Sequence, residues 1–495
     1  MTVQKLLDAA GVAPDAISGN VEISDLVADS RRARPGSLFV CMPSASSDSH
    51  RFLNAAAQAG ATAAIAHTRE GFEMARAAMD CAVLASNERG RFHDALWRIA
   101  KAFFSNPSGS MIVAGVTGTN GKTTTCWMLR DMFSALGEPS GYLGTLGIRY
   151  PGTERELENT TPFPIELNRL LAEIRDAHVR FLAMEVSSHA LQERRSDGVE
   201  FDAGIFTNLT QDHLDYHGTM EAYEAAKRRF FEDLPSQSSK RFVAALNVDD
   251  PVGARLADGL ACEKLTYGVR SGMLRGEAVS VSVDHLKVRL AWQGESLEAS
   301  VGLGGHFNVM NCLSAVAGCL ALGKSLAEAG AGLSAVRPVP GRFESVPNRH
   351  GIGVIVDYAH TPDALVKLLE AARAIDHQRL ITVFGCGGDR DKGKRPKMAR
   401  AVSERADLTV VTSDNPRTED PQAILKDVSA GIVQGRASVS VVDRREAIAY
   451  ALTEARPGDI VVIAGKGHEN YQIVGRTKQP MDDRLMAREA LEARQ

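Results

Sequence analysis

The amino-acid sequence predicts an α/β protein with three domains. Its 495 residues are more than one hydrophobic core normally organises, so the chain should divide into several cores. Short apolar runs alternate with helix-like stretches along most of the chain, as expected for strands followed by helices. Hydrophobic residues make up 44% of the chain and charged residues 24%, which is ordinary for a globular protein. We place the domains at residues 1–91, 92–341 and 342–495.

The overall charge and the cysteines argue against several classes of protein. A formal net charge of −4 gives no general attraction to nucleic acid or to an anionic membrane. The seven cysteines form no Cys-x-x-Cys pair and have an odd total, which favours reduced thiols over a disulfide framework or a zinc site. The start of the chain lacks the pattern of a signal peptide, and no apolar run approaches the roughly 18 residues of a membrane span. We therefore expect a cytoplasmic monomer with no nucleic-acid partner and no membrane insertion.

The first two domains differ in the patterns of their strands. Residues 1–91 alternate apolar runs such as GSLFVCM and CAVLAS with alanine-rich helical stretches, which predicts a small α/β domain. In the second domain, residues 109–137 read as a strand, a glycine loop and a helix ended by Gly137. Further strands are VRFLAMEV, FDAGIFTN and RFVAALNV. Residues 278–305 alternate with a period of two, which predicts antiparallel strands added to a parallel sheet.

The third domain alternates apolar strands with polar loops. The strands are GVIVDY, LITVFG, LTVVTS, SVSVVD and IVVIAG, and the loops after them are AHTPDA, CGGDRDKGKR, DNPRTED, RREA and KGHEN. Ligands of open α/β sheets bind outside the carboxyl ends of the strands, so we expect a Rossmann-like domain whose five loops share one surface. Residues 414–417 (Asp-Asn-Pro-Arg) have the composition of a turn, but a turn does not need the guanidinium of Arg417.

The sequence GVTGTNGKTTT at residues 115–125 is the strongest single signal. Backbone N–H groups of a glycine loop can bind phosphate oxygens, and the positive end of the following helix adds to the attraction. Lys122 would reach the β- and γ-phosphates, and Thr123 would bind Mg²⁺. The strict P-loop pattern is not met, because Val116 occupies the position of its first glycine. The strand before the loop and the helix after it still favour a phosphate site in a P-loop ATPase-like sheet over a chance glycine loop.

Other polar residues allow two interpretations each. Glu185 follows a strand and could hold Mg²⁺ or be a solvated glutamate. His213 could be a structural histidine or a metal ligand. Lys227 has basic neighbours in the sequence, which by itself favours a solvated surface charge. Residues that could equally be helix caps, turn residues or linker residues are Asn308, Asn311, Arg342, Asp357 and His360.

Taken together, these motifs resemble those of a known family. TGTNGKTTT, EVSSH, NLTQDHLDYHG, YEAAK, GHFNVMN, PGRFE and DYAHTPDA have the order and spacing of the Mur ligases, the ATP-dependent amino-acid ligases of peptidoglycan precursor synthesis. The resemblance extends from about residue 29 to residue 469. It is greatest to members that add the third peptide residue to UDP-N-acetylmuramoyl-L-alanyl-D-glutamate. It implies that ATP phosphorylates the D-glutamate γ-carboxylate and that the incoming amine then attacks the acyl phosphate.

The resemblance also implies a site for ATP and Mg²⁺. The catalytic and metal-binding residues would be Lys122, Thr123, Glu185, His213 and Lys227. Lys227 matches the family's carbamylated lysine (N6-carboxylysine), which reverses its reading as a solvated charge. The residues implied for the nucleotide are Gly118, Thr119, Asn120, Gly121, Lys122, Thr123, Thr124, Asn308, Asn311, Arg342, Asp357 and His360.

The UDP-sugar dipeptide would, by the same resemblance, contact the first two domains. The first domain would bind UDP through Ser30, and the other residues implied are Asn159, Thr160, Thr161, Ser187, Glu193 and Arg195. One departure from the family is Glu193, where relatives usually have glutamine, because its negative charge would face an anionic substrate. A second departure is PSASSDSH at residues 43–50, where relatives usually have glycines.

The incoming amino acid would bind the loops of the third domain. The residues implied are Arg390, Asp414, Asn415, Pro416, Arg417, Gly465 and Glu469. The form Asp-Asn-Pro-Arg is associated in the family with meso-2,6-diaminopimelate. This molecule is lysine with a distal carboxylate, and arginine offers a planar fork that fits two carboxylate oxygens.

Three alternatives stay open at the level of the sequence. A lysine-adding Mur ligase would differ by its substrate alone. A folylpolyglutamate synthetase-like ligase shares the acyl-phosphate chemistry but lacks this kind of N-terminal UDP-binding region, so DSRRARPGSLFV and NTTP argue against it. The third alternative is a non-catalytic nucleotide-binding regulator. Such a protein would not need the candidate metal-binding and phosphate-binding residues, yet this sequence retains all of them, which argues against it.

Overall fold

The computed structural model describes residues 1–43 and 48–494 and divides into two compact units. The first unit contains Met1–Tyr267 and Ala317–Gly323, and the second contains Gly268–Val316 and Lys324–Gln495. Helices alternate with mainly parallel strands in both, which confirms the predicted α/β fold class. Residues 44–47 of the departure at PSASSDSH lie outside the described residues. The domain limits that the sequence indicates stay a prediction.

A five-stranded sheet forms the N-terminal part of the first unit. Its strands are β1 (Ala16–Ser18), β2 (Asp25–Val27), β3 (Ser37–Val40), β4 (Ala63–Ala66) and β5 (Cys81–Leu84), and its helices are α1 (Val3–Ala10), α2 (Leu53–Gln58), α3 (Arg69–Ala78) and α4 (Arg89–Phe103). The spatial order is β1-β5-β4-β3-β2, and β1 alone in this sheet is antiparallel to its neighbour. Because a hydrophobic core lies on each face, β4 and β5 are apolar throughout, whereas β1, β2 and β3 each contain one polar residue. Phe92, Leu96 and Ile99 of α4 belong to one of these cores.

A larger, mainly parallel sheet forms the rest of the first unit. Its strands are β6 (Ile112–Thr117), β7 (Ser140–Gly144), β8 (Gly147–Tyr150), β9 (Thr153–Arg155), β10 (Phe181–Glu185), β11 (Ala203–Phe206), β12 (Val243–Asn247) and β13 (Glu263–Gly268), in the order β13-β12-β11-β6-β10-β7-β8-β9. Its helices are α5 (Lys122–Ala135), α6 (Pro164–Asp176), α7 (Ser188–Gln192), α8 (Leu214–His217), α9 (Met220–Glu232) and α10 (Pro251–Gly259). A Cβ on Gly115 of β6 would lie 2.4 Å from Cζ of Phe230, so α9 packs closely on this strand. The predicted strand, glycine loop and helix at residues 109–137 are confirmed.

The second unit begins with three antiparallel strands. They are β14 (Leu274–Val281), β15 (Leu286–Trp292) and β16 (Glu295–Val301), as the period of two predicted. Gln293 and Gly294 join β15 to β16 with positive φ angles of 50° and 87°, the conformation of a type I′ hairpin turn. Helices α11 (Asn308–Ala321) and α12 (Leu326–Ser334) follow, and a capping box formed by Ser325 and Glu328 begins α12.

A six-stranded sheet forms the C-terminal part of the second unit. Its strands are β17 (Glu344–Ser345), β18 (Gly353–Asp357), β19 (Leu380–Cys386), β20 (Leu408–Ser413), β21 (Ser438–Ser440) and β22 (Ile460–Ala464), in the order β17-β18-β22-β19-β20-β21. Its helices are α13 (Pro362–Arg373), α14 (Lys394–Ser403), α15 (Pro421–Ser429), α16 (Arg444–Glu454) and α17 (Asp483–Glu492), and a separate hairpin consists of β23 (Tyr471–Val474) and β24 (Thr477–Pro480). β18 to β22 are all parallel, so their carboxyl ends meet at one edge, as expected. None of the described helices is both long and apolar enough to cross a membrane.

Candidate functional site

The glycine loop between β6 and α5 has a backbone conformation that requires glycine at two positions. Gly118 has a φ of 149° and Gly121 a φ of 87°, and a Cβ on Gly118 would lie 1.9 Å from Oγ1 of Thr207. The N–H groups of Thr119 and Asn120 donate to the main-chain and side-chain oxygens of Asn208, at 2.8 and 3.0 Å. The loop, which we call the backbone cradle, is therefore tied to the segment after β11.

Lys122, Thr123 and Thr124 occupy the first turn of α5, immediately after this cradle. Nζ of Lys122 donates to the carbonyl oxygens of Gly118 and Thr119, at 2.9 Å each. Thr123 and Thr124 are buried. The N-terminus of a 14-residue helix carries a partial positive charge, to which the ammonium of Lys122 adds. The loop and this turn together form a site suited to phosphate groups.

Lys227 of α9 is buried against the same loop. Its side chain is 1% exposed, and Nζ donates to the carbonyl oxygen of Gly118 at 2.8 Å. Burial, and secondarily the nearby charge of Lys122, lower the pKa of Lys227 well below its ordinary value. Tyr223 lies beneath it, with its ring centre 4.5 Å from Nζ and its hydroxyl 3.2 Å from Oγ1 of Thr119. A buried lysine of lowered pKa at a phosphate loop is not a solvated surface charge.

Glu185 ends β10 beside the loop and is completely buried. It is paired in register with Val116 of β6, so its carboxylate lies at the same edge of the sheet as the glycine loop. Oε1 accepts hydrogen bonds from the hydroxyl of Tyr142 (2.5 Å) and the N–H of Thr145 (3.0 Å), and Oε2 accepts one from Oγ1 of Thr145 (3.1 Å). Burial, together with the Glu185 carboxylate, raises the pKa of Tyr142 well above its ordinary value, so the tyrosine stays a donor. These donors orient the carboxylate.

His213 lies at the start of α8 in the left-handed conformation, with a φ of 53°. Partial burial is the main cause that lowers its pKa, while Asp212, whose Oδ2 is 3.6 Å from Nε2, opposes the shift. The ring of His189 lies edge-on at 4.8 Å. A lowered pKa keeps this imidazole neutral, which is the form that binds metals.

The residues implied for the dipeptide surround Glu185. Oγ1 of Thr161 donates to the main-chain oxygen of Glu185 at 2.9 Å and accepts from the N–H of Ser187 at 3.2 Å. Oγ1 of Thr160 lies 3.2 Å from Oγ1 of Thr145. Ser187 also caps α7 through its side chain. The sequence did not point to Tyr142, Thr145 or Tyr223, because each acts only through a partner far away in the chain.

Glu193, the departure from the family pattern, is paired with Arg195. Oε2 of Glu193 accepts from Nε and Nη2 of Arg195, at 2.8 and 2.7 Å, and Oε1 accepts from the hydroxyl of Tyr216 at 3.0 Å. Nη1 of Arg195 donates to Oδ1 of Asn159 at 3.3 Å and to the main-chain oxygen of Thr161 at 3.1 Å. The carboxylate of Glu193 is thus paired with the guanidinium of Arg195. Arg195 in turn contacts Asn159 and Thr161, two other residues implied for the dipeptide.

Ser30 lies in a short 3₁₀ helix, Ser30–Arg32, that faces the dipeptide group from the N-terminal sheet. Asp29 caps this helix, and Nη1 of Arg32 lies 2.7 Å from Oε2 of Glu166 in α6. Arg31 also interacts electrostatically with Glu158, next to Asn159. The ion pair between Arg32 and Glu166 places this turn beside α6.

The nucleotide residues implied for the second unit form two local groups. Nδ2 of Asn308 donates to Gly304 and Nδ2 of Asn311 donates to Oδ1 of Asn308, both at 2.7 Å, at the start of α11. Separately, the Asp357 carboxylate accepts the N–H groups of Phe343 (2.7 Å) and Ala359 (2.8 Å).

Arg342 and His360 both lie against Tyr358, beside Asp357. The guanidinium carbon of Arg342 is 4.7 Å from the centre of the Tyr358 ring, and the ring of His360 is 4.6 Å from it. Burial raises the pKa of Asp357, against the opposing charge of Arg342. Arg342, Asp357 and His360 are therefore neighbours, and their role toward a nucleotide stays a prediction.

The loops at the carboxyl ends of β19, β20 and β22 bring the acceptor candidates together. Arg417 has a φ of 52°, and its Nη1 donates to the main-chain oxygen of Gly388 at 2.8 Å. A Cβ on Gly387 would lie 2.9 Å from Nη1 of Arg417 and 3.7 Å from Cγ of Arg390, so the two arginines flank this glycine. A Cβ on Gly465 would lie 2.9 Å from Oδ2 of Asp414.

Two further features of this region were not foreseen from the sequence. The hairpin β23–β24 contacts the Asp-Asn-Pro-Arg loop, since Arg417 donates its N–H to the Ile473 oxygen at 3.0 Å and accepts from the N–H of Gly475 at 2.7 Å. RREA, which the sequence analysis took as a polar loop, is instead the first turn of α16, and its Arg444 is completely buried in an ion pair with Asp483 at 2.7 Å. Arg444 therefore contributes a buried anchor to the sheet edge rather than a loop side chain.

Asp48, His50 and His67 form a group of potential metal ligands in the N-terminal part. Nδ1 of His50 lies 2.6 Å from Oδ1 of Asp48, and Nε2 of His50 accepts the main-chain N–H of His67 at 3.4 Å. Both ring nitrogens of His50 thus have partners within the protein, which favours a structural role for this group.

Comparison with known proteins gives one consistent result. Residues 116–319 match the Mur ligase middle domain, and residues 341–467 match the Mur ligase, glutamate ligase domain. A curated protein of Gloeobacter violaceus, UDP-N-acetylmuramoyl-L-alanyl-D-glutamate--2,6-diaminopimelate ligase, is 45% identical over 96% of this chain and 95% of its own length. A solved structure of a ligase with the same name has 31% sequence identity and a TM-score of 0.70, and the match covers 99% and 98% of the two chains. The MurF ligase of Thermotoga maritima in complex with ADP shares the fold at 19% identity, with a TM-score of 0.62 over 94% and 98% of the chains.

Proposed function

The chain belongs to the Mur ligase family, and we propose that it joins meso-2,6-diaminopimelate to the D-glutamate γ-carboxylate of UDP-N-acetylmuramoyl-L-alanyl-D-glutamate. The reaction consumes ATP and yields ADP and phosphate, as one step of peptidoglycan precursor synthesis. The observation that carries the proposal is the 45% identity, over 96% of the chain, with a ligase that bears this name. The predicted cytoplasmic location and monomeric state remain predictions.

The chemistry requires the carboxylate to be activated before the amine attacks. A carboxylate resists nucleophiles, whereas an acyl phosphate carries a good leaving group. Transfer of the γ-phosphoryl group to the γ-carboxylate forms this acyl phosphate, and the amine then forms the amide while phosphate leaves. The backbone cradle at Gly118–Gly121 and the ammonium of Lys122 would hold the phosphates during both steps. This use fits the open loop and the helix N-terminus beside it.

The donor set beside the cradle fits Mg²⁺. The Thr123 hydroxyl and the Glu185 carboxylate offer the hard oxygen ligands that this ion prefers, and His213 is adjacent in a neutral form. Tyr142 and Thr145 orient the carboxylate from behind. When bound, Mg²⁺ would neutralise charge on the phosphate oxygens.

Lys227 would join this set after carbamylation. CO₂ reacts only with the neutral form of an amine, and burial favours that form at Lys227. The product, N6-carboxylysine, is an anion with two oxygen ligands. The buried position beside Gly118 thus supports the role that the family resemblance implies.

The dipeptide would bind at the group of Asn159, Thr161 and Arg195. Arg195 is held on three sides by Glu193, Asn159 and the Thr161 main chain, which gives its guanidinium a fixed direction. Glu193 offsets part of this positive charge, so we propose that it orients Arg195 and that the substrate's binding energy comes from the other members of the group.

The acceptor would bind between the loops that carry Arg390 and Arg417. The two arginine side chains flank Gly387, Arg417 with its Nη1 and Arg390 with its Cγ, and two arginines at one site suit an amino acid with two carboxylates. L-Lysine lacks the distal carboxylate and would leave a cation without its partner. A site built for a polar group can reject an analogue lacking it by about 10⁴–10⁵-fold. Specificity for diaminopimelate over lysine is therefore part of the proposal.

An ADP-release assay tests the proposal against its alternatives. The chain is supplied with ATP, Mg²⁺ and the UDP-sugar dipeptide, and meso-diaminopimelate, L-lysine and L-ornithine are compared as acceptors. We expect ADP release with diaminopimelate alone. Equal use of L-lysine would indicate the lysine-adding type and overturn the specificity. No acceptor-dependent ADP release would favour the non-catalytic regulator, and activity with a folate and glutamate would indicate the folylpolyglutamate synthetase-like alternative.

A further inference from the structure

Lys466 has no assigned role, yet it is completely buried at the centre of the acceptor loops. Its Nζ donates to Oε2 of Glu469 at 2.9 Å and to Oδ1 of Asn415 at 3.2 Å. Nδ2 of Asn415 also donates to Oε2 of Glu469 at 3.2 Å. The three side chains therefore form a closed triangle that links the loop after β20 to the loop after β22.

The hairpin β23–β24 closes the same triangle from its other side. The N–H of Ile473 donates to Oδ1 of Asn415 at 2.9 Å, so this oxygen accepts from both Lys466 and the hairpin. Nε2 of Gln472 donates to the main-chain oxygen of Asp414 at 2.5 Å. Residues 414–417 are thus held between the Lys466 ammonium and an edge of the hairpin.

Electrostatics makes this arrangement sensitive to the charge of Lys466. A buried ammonium is tolerated only when an anion and other acceptors compensate for the water it has lost, and Glu469 supplies that anion. Without the ammonium, the partly buried Glu469 carboxylate would lose its cationic partner, and Oδ1 of Asn415 would lose one of its two donors. Arg417 keeps a left-handed backbone, unusual for a non-glycine residue, only while this loop is held in place.

We infer that Lys466 is a positioning residue for acceptor specificity, which fixes Asn415 and Glu469 for the incoming amino acid. The inference rests on the proposed function, because it concerns the binding site of that acceptor. Lys466 acts through its two partners and, through the loop, on the direction of Arg417. Gln472 supports the same loop from the hairpin.

The test compares Lys466→Met with Lys478→Met in the full-length chain. Both lysines approach the ring of Tyr471, with Nζ at 5.5 and 4.0 Å from its centre, but Lys478 is exposed on β24. We expect Lys466→Met to raise the KM for diaminopimelate by about 10- to 100-fold, as for loss of a buried charged hydrogen-bonding group. The KM for ATP should stay within about twofold, and the preference for diaminopimelate over L-lysine should fall. Lys478→Met should match the wild type.

The outcomes separate the inference from the function on which it rests. If the wild type releases no ADP with diaminopimelate, the proposed function fails. If the wild type is active and Lys466→Met has the acceptor KM of Lys478→Met, the inference is overturned. Should Lys466→Met lack a cooperative unfolding transition, Gln472→Met decides instead. A selective rise in its acceptor KM supports the inference, and an unchanged KM overturns it.

Discussion

The contacts of single residues in this protein differ from those that their neighbours in the sequence suggest. Lys227 has basic neighbours in the sequence, but in the structure its amine is buried on the carbonyl oxygen of Gly118. Glu193 would repel an anionic substrate if it stood alone, yet its carboxylate is engaged by Arg195 and Tyr216. The chemistry of each residue therefore depends on partners that lie far from it in the chain.

The role of Lys227 can be tested by removing its amine. Lys227→Ala should lose activity by at least about 100-fold, because the proposed carbamate ligand of Mg²⁺ is lost. Acetate or another small carboxylate should partly restore the rate by replacing the carbamate. Arg228→Ala is a matched control, since Arg228 is the next residue of α9 and forms an exposed ion pair with Glu232. Full activity of Lys227→Ala without acetate would exclude the carbamate role.

The role of Arg417 can be tested by measuring which substrate's KM rises when its side chain is removed. Arg417→Ala should raise the KM for diaminopimelate far more than the KM for ATP, because the lost guanidinium faces the acceptor loops. Steady-state kinetics with each substrate varied in turn measures the difference. Arg476→Ala, in the exposed turn of the neighbouring hairpin, should leave both constants unchanged. Equal rises in both constants would indicate a general structural defect.

At the scale of elements, the loops at strand ends carry both the shape and the chemistry of the site. Such loops can take unusual backbone conformations because the strands before them and the helices after them are well packed. The glycine loop after β6 and the Asp-Asn-Pro-Arg loop after β20 are the two clearest cases. Each contains a residue in the left-handed region and is fastened by hydrogen bonds to a separate segment.

The glycine loop should not tolerate a side chain at Gly118. Gly118→Ala would bring a methyl group to 1.9 Å from Oγ1 of Thr207 at a backbone angle that alanine rarely adopts. We expect ATP binding to weaken by at least about tenfold, measured by calorimetry with a non-hydrolysable ATP analogue. Gly90→Ala is the control, because a Cβ there meets nothing within 4 Å. Unchanged ATP affinity in Gly118→Ala would argue against the phosphate role of this loop.

The ion pair between Arg444 and Asp483 joins α16 and α17 to the edge of the C-terminal sheet. Arg444 also donates to the main-chain oxygen of Ala464 at 3.0 Å. Asp483→Ala leaves a buried guanidinium without its anion, so we expect the free energy of unfolding to fall by about 3–5 kcal/mol. Glu489→Ala breaks an exposed pair with Arg445 on the same two helices and should cost less than about 1 kcal/mol. Urea denaturation of both variants measures the difference, and equal losses would contradict this account.

At the scale of the whole molecule, the described residues form two compact units with separate hydrophobic cores. Stability therefore comes from apolar burial in several sheets rather than from covalent cross-links. All seven cysteines are free, and six of them are buried.

The cysteines provide a test of this organisation. In the native protein we expect a thiol reagent such as Ellman's reagent to label Cys262 alone, and to do so slowly, because burial raises the pKa of this half-buried thiol. After unfolding in guanidinium chloride, all seven thiols should react. A reducing agent should not alter the unfolding temperature. Fewer than seven reactive thiols in the unfolded chain would show that a disulfide had formed.

Much of the fold could be predicted because its signals are local. Four of the six strands of the C-terminal sheet, β18, β19, β20 and β22, are short and largely apolar runs, and polar residues separate them from the elements that follow. The antiparallel strands β14 to β16 followed from a period of two. The hairpin β23–β24 was missed, because its short, partly exposed strands have no continuous apolar run. The prediction of a loop at RREA was wrong, because Asp443 caps a helix that begins at Arg444 and Asp483 of α17 pairs with that arginine.

The sequence by itself determined the order of strands and helices, the glycine loop, and the set of polar residues at the strand ends. These features depend on periodicity and turn chemistry within a few residues, and the resemblance to the Mur ligases rests on the same local motifs. Only the tertiary structure decided which side chains meet across long separations. Lys227 contacts Gly118 across 109 positions, and Asn415 contacts Lys466 across 51 and Ile473 across 58. Burial and hydrogen-bond partners exist only in the folded chain, so the lowered pKa of Lys227 and the hydrogen-bonded loop at residues 414–417 are properties of the fold.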